Sequence, residues 1–335
     1  MAFKYNDIKL DKGMYGVAGK GFSAILEELD PSEAYKGTAL EGLDAYQRQL
    51  KRFGIKVRGA GSDCVEKFFH STESSVLFPE YVSRSVKQGM EENNILPNIV
   101  ATTTKIDGLD YRAIASLPSD EDKSLKHVAE GAAIPQTEIR AQDKLIKLHK
   151  RGRMLVASYE SIRFQRLELF SVMLRQIGNH IAKMHLNDAV EVIKNGDGNG
   201  NGAEVVNIND LSYDELLNFW GKFDPYTMNT MLASPDMMLK LLKISELRNP
   251  MAGLNFAGTG DIGSPLGAAV IRSSCVPEKT IIGLDKGYAL ERVCSGDVTV
   301  EYDRLIDRQL ERAAITSVSG FAKIFGEASK VLELN

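Results

Sequence analysis

The chain has 335 residues, 43% of them hydrophobic and 26% charged, which is ordinary globular composition with room for about two domains. Its 41 lysines and arginines nearly balance 45 aspartates and glutamates, which argues against a general nucleic-acid binder or a membrane-surface protein. No stretch approaches the roughly 18 apolar residues of a membrane span, and the three cysteines lack the CxxC spacing of a zinc site. The first residues interleave Lys and Asp with apolar positions, so we expect no secretory signal and a reducing cytoplasm.

Residues 1–75 are rich in Gly, Lys and Glu and show helical spacing only in places, chiefly from Pro31 to Arg52. They have too few periodic apolar positions for a separate domain. We therefore predict an extended arm with one amphipathic helix; a disordered tail is the alternative. A short helix then runs from Ser74 to about Met90, and strands are predicted at residues 99–100 and 109–116.

A long hairpin is predicted next. Residues 128–156 read VAEGAAIPQTEIRAQDKLIKLHKRGRMLV, two arms around a polar tip. An isolated two-stranded ribbon is marginally stable in water, and this one is too long to bury both faces against one domain of its own chain. We therefore expect neighbouring copies to supply the missing contacts, which makes this a protein built to assemble.

The returning arm of the hairpin is basic and carries a single opposing carboxylate, Asp143. Its cations are Arg140, Lys144, Lys147, Lys150, Arg151 and Arg153. A solvated face and docking on an acidic surface of another subunit are both open interpretations. The candidate acidic surfaces are Asp120-Glu121-Asp122, or Glu301, Asp303 and Asp307. DNA contact is less favoured because the ribbon lacks aromatic residues that stack on bases.

A helix of unusual length follows the hairpin. Between residues 158 and 193 Gly178 is the sole glycine or proline, and apolar residues recur in steps of four and three until Asp188. Thirty-odd residues would span about 50 Å, although a break at residues 163–166 would divide them. We call this element the spine helix. Its predicted core stripe comprises Phe170, Leu174, Ile177, Ile181 and Met184.

A second compact unit is predicted beyond the turn NGDGNGNG at residues 195–202, which ends the spine helix. Ser212 and Glu215 form an S-x-x-E capping box, and Ser234-Pro235-Asp236 starts a helix to about Leu247. Residues 249–265 form a Gly-rich loop. Strands are predicted at residues 227–233, 268–271, 280–284, 288–293, 298–302 and 330–334.

The turn NGDGNGNG partly matches a calcium-binding loop. Asp197, Asn199, Asn201 and Gly202 occupy positions one, three, five and six of the EF-hand pattern. Position twelve, where calcium needs a bidentate Glu, is Ile208. A helix-terminating turn is therefore favoured, and calcium is the lesser alternative.

Nucleotide and catalytic motifs are weak. Residues 258–263, GTGDIG, satisfy G-x-G-x-x-G, but no clean strand precedes them and Ser264-Pro265 leaves little prospect of a helix behind them. His180 and His185 stand five apart on the spine helix, outside any HExxH pair, and we expect both on the surface or in a groove. No nucleophile has a recognisable base, so we predict no catalytic residue, cofactor or metal.

The order of these segments resembles the major capsid proteins of tailed phages, the family whose fold is named after coliphage Hong Kong 97. The resemblance spans about residues 75–335. It rests on SSVLFPEYVSRSV, VAEGAAIPQTEI, the long helix ending in NGDGNGN, the strand–SPD–helix unit, and VPEKTIIGLDKGYALERV leading into TVEYDRLIDRQLERAAITSVSGFAKI. No single segment is diagnostic, but their order is.

The resemblance implies an α+β fold of Hong Kong 97 type. It implies an N-terminal arm at residues 1–75 and an axial domain at 197–287. The peripheral domain would be 76–196 and 288–335, with an extended loop at about 109–157 and the spine helix at about 158–194. The subunit interface would lie on the loop, at Glu130, Gly131, Ala132, Pro135, Arg140, Lys144, Lys147, Lys150, Arg151 and Arg153.

The implied function is structural. Pentamers and hexamers of the chain would form an icosahedral shell around double-stranded DNA, without sequence-specific binding, in a virion assembled in the host cytoplasm. Residues 1–75 are too short and interrupted for a fused scaffolding domain, so we expect a separate scaffolding protein, a portal and possible decoration partners. An encapsulin-type nanocompartment is the nearest alternative. A nucleotide-dependent cytoplasmic enzyme using residues 258–263 is the alternative from another class.

Overall fold

The computed structural model describes residues 4–16, 20–108, 110–115, 127–128, 130, 140–248, 262–296, 298–305 and 307–335. The chain divides into two compact units. Unit 1 comprises Met1–Asn93, Arg151–Ala182 and Val298–Ser317, and unit 2 comprises Asn94–Lys150, Lys183–Asp297 and Val318–Asn335. These units are groups of residues in contact, and the predicted boundaries of the peripheral and axial domains stay a prediction. Among the helices of the described residues, none combines the length and apolar character that a membrane crossing needs.

Two of the helices in the described N-terminal part begin at capping boxes. The helices of this part are α1 (Phe22–Leu29), α2 (Ala45–Arg52), α3 (Thr72–Ser75) and α4 (Phe78–Glu92). The Asp44 carboxylate accepts from the Gln47 backbone amide, and the Gln47 side-chain oxygen accepts from the Asp44 backbone amide. The two hydrogen bonds form a complete capping box. Ser71 and Ser74 form the same arrangement before α3.

Residues 20–75 differ from the predicted extended arm with a single helix. Phe22, Leu26, Tyr46 and Phe68 are buried in one apolar cluster with residues of α4. Arg48 is fully buried and its Nε donates to Asp30 Oδ2 at 2.5 Å. A buried arginine must be paired to be tolerated, so this segment is part of the core of unit 1.

The spine helix forms as predicted, including its break. A short helix, α5 (Tyr159–Arg163), is followed by the spine helix proper, α6 (Leu167–Asn195), which at 1.5 Å per residue is about 43 Å long. Leu174 and Ile181 are buried, whereas Ile177 is only partly buried. At Gly178 the helix lies against α4, where an added Cβ would stand 2.0 Å from the Val86 carbonyl oxygen.

The first sheet contains a strand that corrects the hairpin prediction. Its members are β1 (Thr102–Lys105), β4 (His149–Ser158), β9 (Leu290–Cys294), β10 (Thr299–Leu305) and β11 (Leu310–Lys323). The order is β1-β9-β11-β10, and β4 also pairs with β11. Residues 149–156 were predicted as part of a two-stranded ribbon that takes its further contacts from neighbouring copies; β4 instead pairs with β11 of its own chain, because the long β11 offers it a partner.

The second sheet lies entirely in unit 2. It comprises β5 (Glu204–Ile208), β6 (Thr230–Ala233), β7 (Ala269–Arg272), β8 (Thr280–Leu284) and β12 (Ser329–Leu334), in the order β5-β12-β8-β6-β7. The central strands β6 and β8 are buried at every position, as a strand covered on both faces requires. The helices α7 (Tyr213–Gly221) and α8 (Pro235–Leu241) pack their apolar faces into the cluster on this sheet.

Several predicted bounds shift in the structure. Residues 99–100 follow a 3-10 turn, and the strand begins only at Thr102. The helix from Pro235 ends at Leu241 instead of Leu247. His185 was expected on a surface or in a groove; it is fully buried, because it lies on the inward face of the spine helix between Leu186 and Ala182. His180 is exposed, as expected.

Candidate assembly surface at the root of the extended loop

The residues predicted for the subunit interface fall into three groups. Gly131, Ala132 and Pro135 lie outside the described residues. Arg140 lies in the short strand β3 (Arg140–Ala141), and only its backbone is described. The exposed residues are Glu130, Lys144, Lys147, Lys150 and Arg153, whereas Arg151 is half-buried.

A short ladder joins the two arms of the loop. The outgoing arm ends in β2 (Ile114–Ala115), which pairs antiparallel with β3. The Gln142 amide donates to the Ala113 carbonyl at 2.9 Å, and the Ile146 amide donates to the Tyr111 carbonyl at 2.9 Å. Ala113 and Ile146 are buried in a small apolar cluster with Ala322 of β11. We call residues 111–113 and 142–149 the loop root.

A buried polar cluster holds the returning arm to the rest of unit 2. Gln142 Nε2 donates to Asp197 Oδ2 at 3.3 Å and to the Lys323 carbonyl at 3.2 Å. Asn199 Nδ2 donates to Gln142 Oε1 at 3.0 Å and to Asp197 Oδ1 at 2.9 Å. The Lys323 amide donates to Asp197 Oδ2 at 3.0 Å. We call Gln142, Asp197, Asn199 and Lys323 the root cluster; it links the loop, the turn after the spine helix, and β11.

Burial and hydrogen bonding set the charges within the root cluster. Burial alone raises the pKa of the Asp197 carboxyl, but bonds from Asn199 and the Lys323 amide outweigh it and hold that pKa below its ordinary value. Burial lowers the pKa of the Lys323 amine to about 8, although the negative charge of Asp197 opposes this. Lys323 Nζ donates to the Ile193 carbonyl at 3.3 Å, in the last turn of the spine helix, where a cation is favoured.

The loop root also packs closely on β11. A Cβ added at Gly320 would lie 2.5 Å from the Lys147 carbonyl oxygen and 2.7 Å from Leu148 Cδ2. Only glycine allows this approach. His149 Nδ1 lies 3.5 Å from Asp188 Oδ2, which explains why a carboxylate interrupts the apolar stripe of the spine helix at this point.

Three lysines of the returning arm, Lys144, Lys147 and Lys150, have exposed side chains. Within the part of the chain that the structure describes, the side chains of Lys144, Lys147 and Lys150 make no ion pair, and all three are exposed. The predicted docking of these cations on another subunit stays a prediction.

The acidic residues predicted to bind the basic arm of another subunit differ in whether they already form an ion pair in their own chain. Asp303 is paired with Arg312 of its own hairpin, and Asp307 lies 3.7 Å from Arg308. Glu301 is exposed and makes no ion pair among the described residues. Residues 120–122 lie outside the described residues.

The calcium-like turn at residues 195–202 is described in the structure, whereas most of the G-x-G-x-x-G motif at residues 258–263 is not. The Asp197 carboxylate accepts from members of the root cluster, the Asn199 side-chain oxygen accepts from the Lys144 amide, and the Asn201 side-chain oxygen accepts from the Asp197 amide at 3.1 Å. Within the described residues, no three His, Cys, Asp or Glu side chains come together as metal ligands. Most of the G-x-G-x-x-G segment lies outside the described residues.

Unit 1 has exposed apolar side chains that were not predicted from the sequence. Leu169, Val172 and Met173 share one exposed face of the spine helix, opposite the buried stripe. Met154, Val156 and Phe164 are also at least half exposed, on β4 and just before the helix. A second apolar stripe at spacing i, i+3, i+4 was the available signal. Contiguous apolar exposure is typical of an interaction surface.

Comparison with known proteins agrees with this architecture. The model of a family described as "Phage capsid protein" matches residues 141–319, which is more than half of the chain. No curated protein matches. Three solved structures, each below 25% identity, share the fold. They are the capsid of a native GTA particle (TM-score 0.55, 12% identity, 75% of this chain and 90% of that chain), a structure of Gordonia phage Cozz (0.51, 15%, 84% and 98%) and a virus-like particle from Pyrococcus furiosus (0.50, 16%, 76% and 98%).

The family match covers residues 141–319, and the fold and the order of the segments agree with it. The loop root, β4, the spine helix and both sheets lie largely within or beside the matched segment. The chain therefore belongs to the phage capsid protein family and has the α+β capsid fold of Hong Kong 97 type.

Proposed function

We propose that the extended loop joins each subunit to a neighbouring copy, in an icosahedral shell of pentamers and hexamers that encloses the double-stranded DNA of a tailed phage. Membership of the family makes the chain a structural shell protein that assembles with copies of itself in a virion capsid. The finer statement, on the loop and the shell geometry, is the proposal.

A row of exposed lysines on an anchored loop, which form no ion pair with the described residues, carries the proposal. Lys144, Lys147 and Lys150 are exposed beside a buried root that holds their backbone. Each exposed pair contributes only about 0.2–1 kcal/mol. Repetition over the many linked contacts of a shell multiplies that effect, while individually weak contacts let assembly errors be corrected. Glu301 of a neighbouring subunit is the acceptor that we favour among the described acidic residues.

The remaining parts of the proposal follow from the resemblance. They are a separate scaffolding protein, a portal, possible decoration partners, DNA packaging without sequence-specific contacts, assembly in the host cytoplasm and the lack of a catalytic role. The encapsulin alternative is not favoured, because the matching family is that of phage capsid proteins. The nucleotide-dependent enzyme has no support beyond the weak motif at residues 258–263.

Charge reversal at two exposed lysines of the returning arm, Lys147 and Lys150, tests the proposal. The wild-type chain should sediment as megadalton particles that appear as closed shells in electron micrographs. Lys147→Glu combined with Lys150→Glu should leave the subunit folded and raise the concentration at which shells appear, with a weaker dependence on salt than in the wild type. The control is Lys36→Glu with Lys243→Glu, two exposed lysines outside the loop with the same change in net charge. Equal assembly thresholds in both double variants would refute the proposal that Lys147 and Lys150 bind a neighbouring subunit.

A further inference from the structure

We propose that Gln142, Asp197, Asn199 and Lys323 are positioning residues, which fix the direction in which the extended loop leaves the subunit. The inference rests on the proposed function of the loop and adds a device that acts within the subunit. It also gives a further role to the turn NGDGNGNG, which ends the spine helix as predicted.

The described part of the backbone ladder is too short to hold the loop by itself. The described pairing between β2 and β3 has two residue pairs, supplemented by the bonds from Gln142 and Ile146. Two-stranded ribbons are marginally stable without further contacts. Among the described residues, the buried members of the apolar cluster beneath the root are Ala113, Ile146 and Ala322, and apolar burial is non-directional. Something else must set the angle of the loop.

The root cluster supplies that directional restraint. Gln142 is 5% exposed and uses both ends of its side-chain amide, towards Asp197 and Lys323 on one side and Asn199 on the other. Asn199 Oδ1 accepts from the Lys144 amide at 3.0 Å, so a second point of the returning arm is fixed. Hydrogen bonds are angular as well as short, and in a buried site they are stronger than in water.

The cations begin directly at the restrained segment. Lys144 is itself held by its backbone, and the carbonyl of Lys147 lies against Gly320. A change in the root cluster therefore changes where the basic side chains point, although Gln142, Asp197 and Lys323 are themselves buried.

An isosteric substitution separates positioning from stability. Gln142→Glu removes the donor to Asp197 and places a second carboxylate about 3.3 Å from the first, where like charges repel. Hydrogen exchange on isolated subunits should then show roughly ten-fold less protection at the amides of residues 142 and 146. The shell-forming concentration should rise by roughly ten-fold as well. Cooperative unfolding should persist.

A charge swap provides the rescue. Gln142→Glu combined with Asp197→Asn again places one carboxylate opposite one amide, and should bring exchange and the assembly threshold back towards the wild type. Asn199→Ala is the milder second variant, should Gln142→Glu prevent folding; it removes the bonds to Gln142 and to the Lys144 amide. The matched control is Gln49→Glu, another buried glutamine, in unit 1. It should lower stability without changing exchange at residues 142 and 146.

Two results would overturn the inference. One is unchanged protection at residues 142 and 146 in both Gln142→Glu and Asn199→Ala. The other is lost protection with an assembly threshold equal to that of Gln49→Glu. Failure of the wild-type chain to form shells would instead count against the proposed function, because the exchange measurement on isolated subunits does not depend on assembly.

Discussion

Gly178 lies at a contact between the spine helix and α4 that leaves no room for a methyl group. A Cβ at Gly178 would stand 2.0 Å from the Val86 carbonyl oxygen and 2.9 Å from the Met90 amide nitrogen. A Cβ at Gly89 of α4 would stand 2.0 Å from the Arg175 carbonyl oxygen. These neighbours are backbone atoms, which cannot rotate away as a side chain does. The helices would have to separate by more than about 1 Å to restore ordinary van der Waals contact.

Gly178→Ala should therefore destabilise unit 1 against the expectation from helix propensity. At an open helical position, replacing glycine by alanine stabilises by about 1 kcal/mol. Overpacking typically costs about 1–3 kcal/mol, and more where backbone must move. Since both helices must shift, we expect a net loss of about 3 kcal/mol or more. Against a total stability of about 5–15 kcal/mol, that is a large fraction.

Urea unfolding of dilute, unassembled subunits, followed by circular dichroism, measures the effect. The control is Gly221→Ala at the end of α7, where an added Cβ meets nothing within 4 Å. The control should unfold at the wild-type midpoint or slightly above, and Gly178→Ala well below. A second check is the double variant with Gly89→Ala. One separation of the helices relieves both contacts, so the double variant should lose less than the sum of the two single losses. A Gly178→Ala subunit as stable as the wild type would show that the helices do not meet here.

Three further predictions concern buried groups. Ile181→Asp should prevent folding, because it buries an unpaired carboxylate, whereas Val172→Asp on the exposed face of the same helix should fold normally; circular dichroism distinguishes them. Arg48→Met should cost about 3–5 kcal/mol by leaving Asp30 buried and unpaired, and adding Asp30→Asn should recover part of that loss in urea unfolding. Burial lowers the pKa of Lys323 to about 8, so the folded state loses this proton before the unfolded state does. The unfolding free energy of the wild type should therefore rise relative to Lys323→Met by about 3 kcal/mol between pH 7 and pH 10.5, and no rise would contradict the burial of the charge.

The elements that local patterns specify could be predicted from the sequence. The spine helix has a sustained four-three stripe and an interruption at residues 163–166, and the structure has both. The strand at residues 280–284 is bounded by turn residues and has the predicted ends. The Ser212 hydroxyl accepts from the Glu215 amide, which is one of the two hydrogen bonds of the predicted capping box. Each of these signals lies within a few residues of the structure that it produces.

The elements that depend on distant partners could not be predicted. The pairing of β4 with β11 joins residues about 160 positions apart, so nothing near His149 reveals it. From the sequence alone Arg48 would be expected on the surface, because its buried partner Asp30 is 18 residues away in the chain. Gly178 looked like a mere interruption in the spine helix, because the reason for it is the backbone of α4. The cations of the loop could be recognised by type and spacing, whereas Gln142 gave no signal, since its partners come from two other segments.

The loop root and the two cores meet different physical requirements. The cores need close packing, which the apolar clusters of each unit provide without fixing any exposed side chain. A loop that must reach a neighbour needs a defined direction, and only groups with angular preferences define one. Placing Lys323 at the root has a cost, visible in its lowered pKa, which a methionine of similar shape would avoid. The polar root is therefore poorly explained by stability alone. It follows that substitutions there should change assembly more than melting, and substitutions at the contact of Gly178 with α4 should do the reverse.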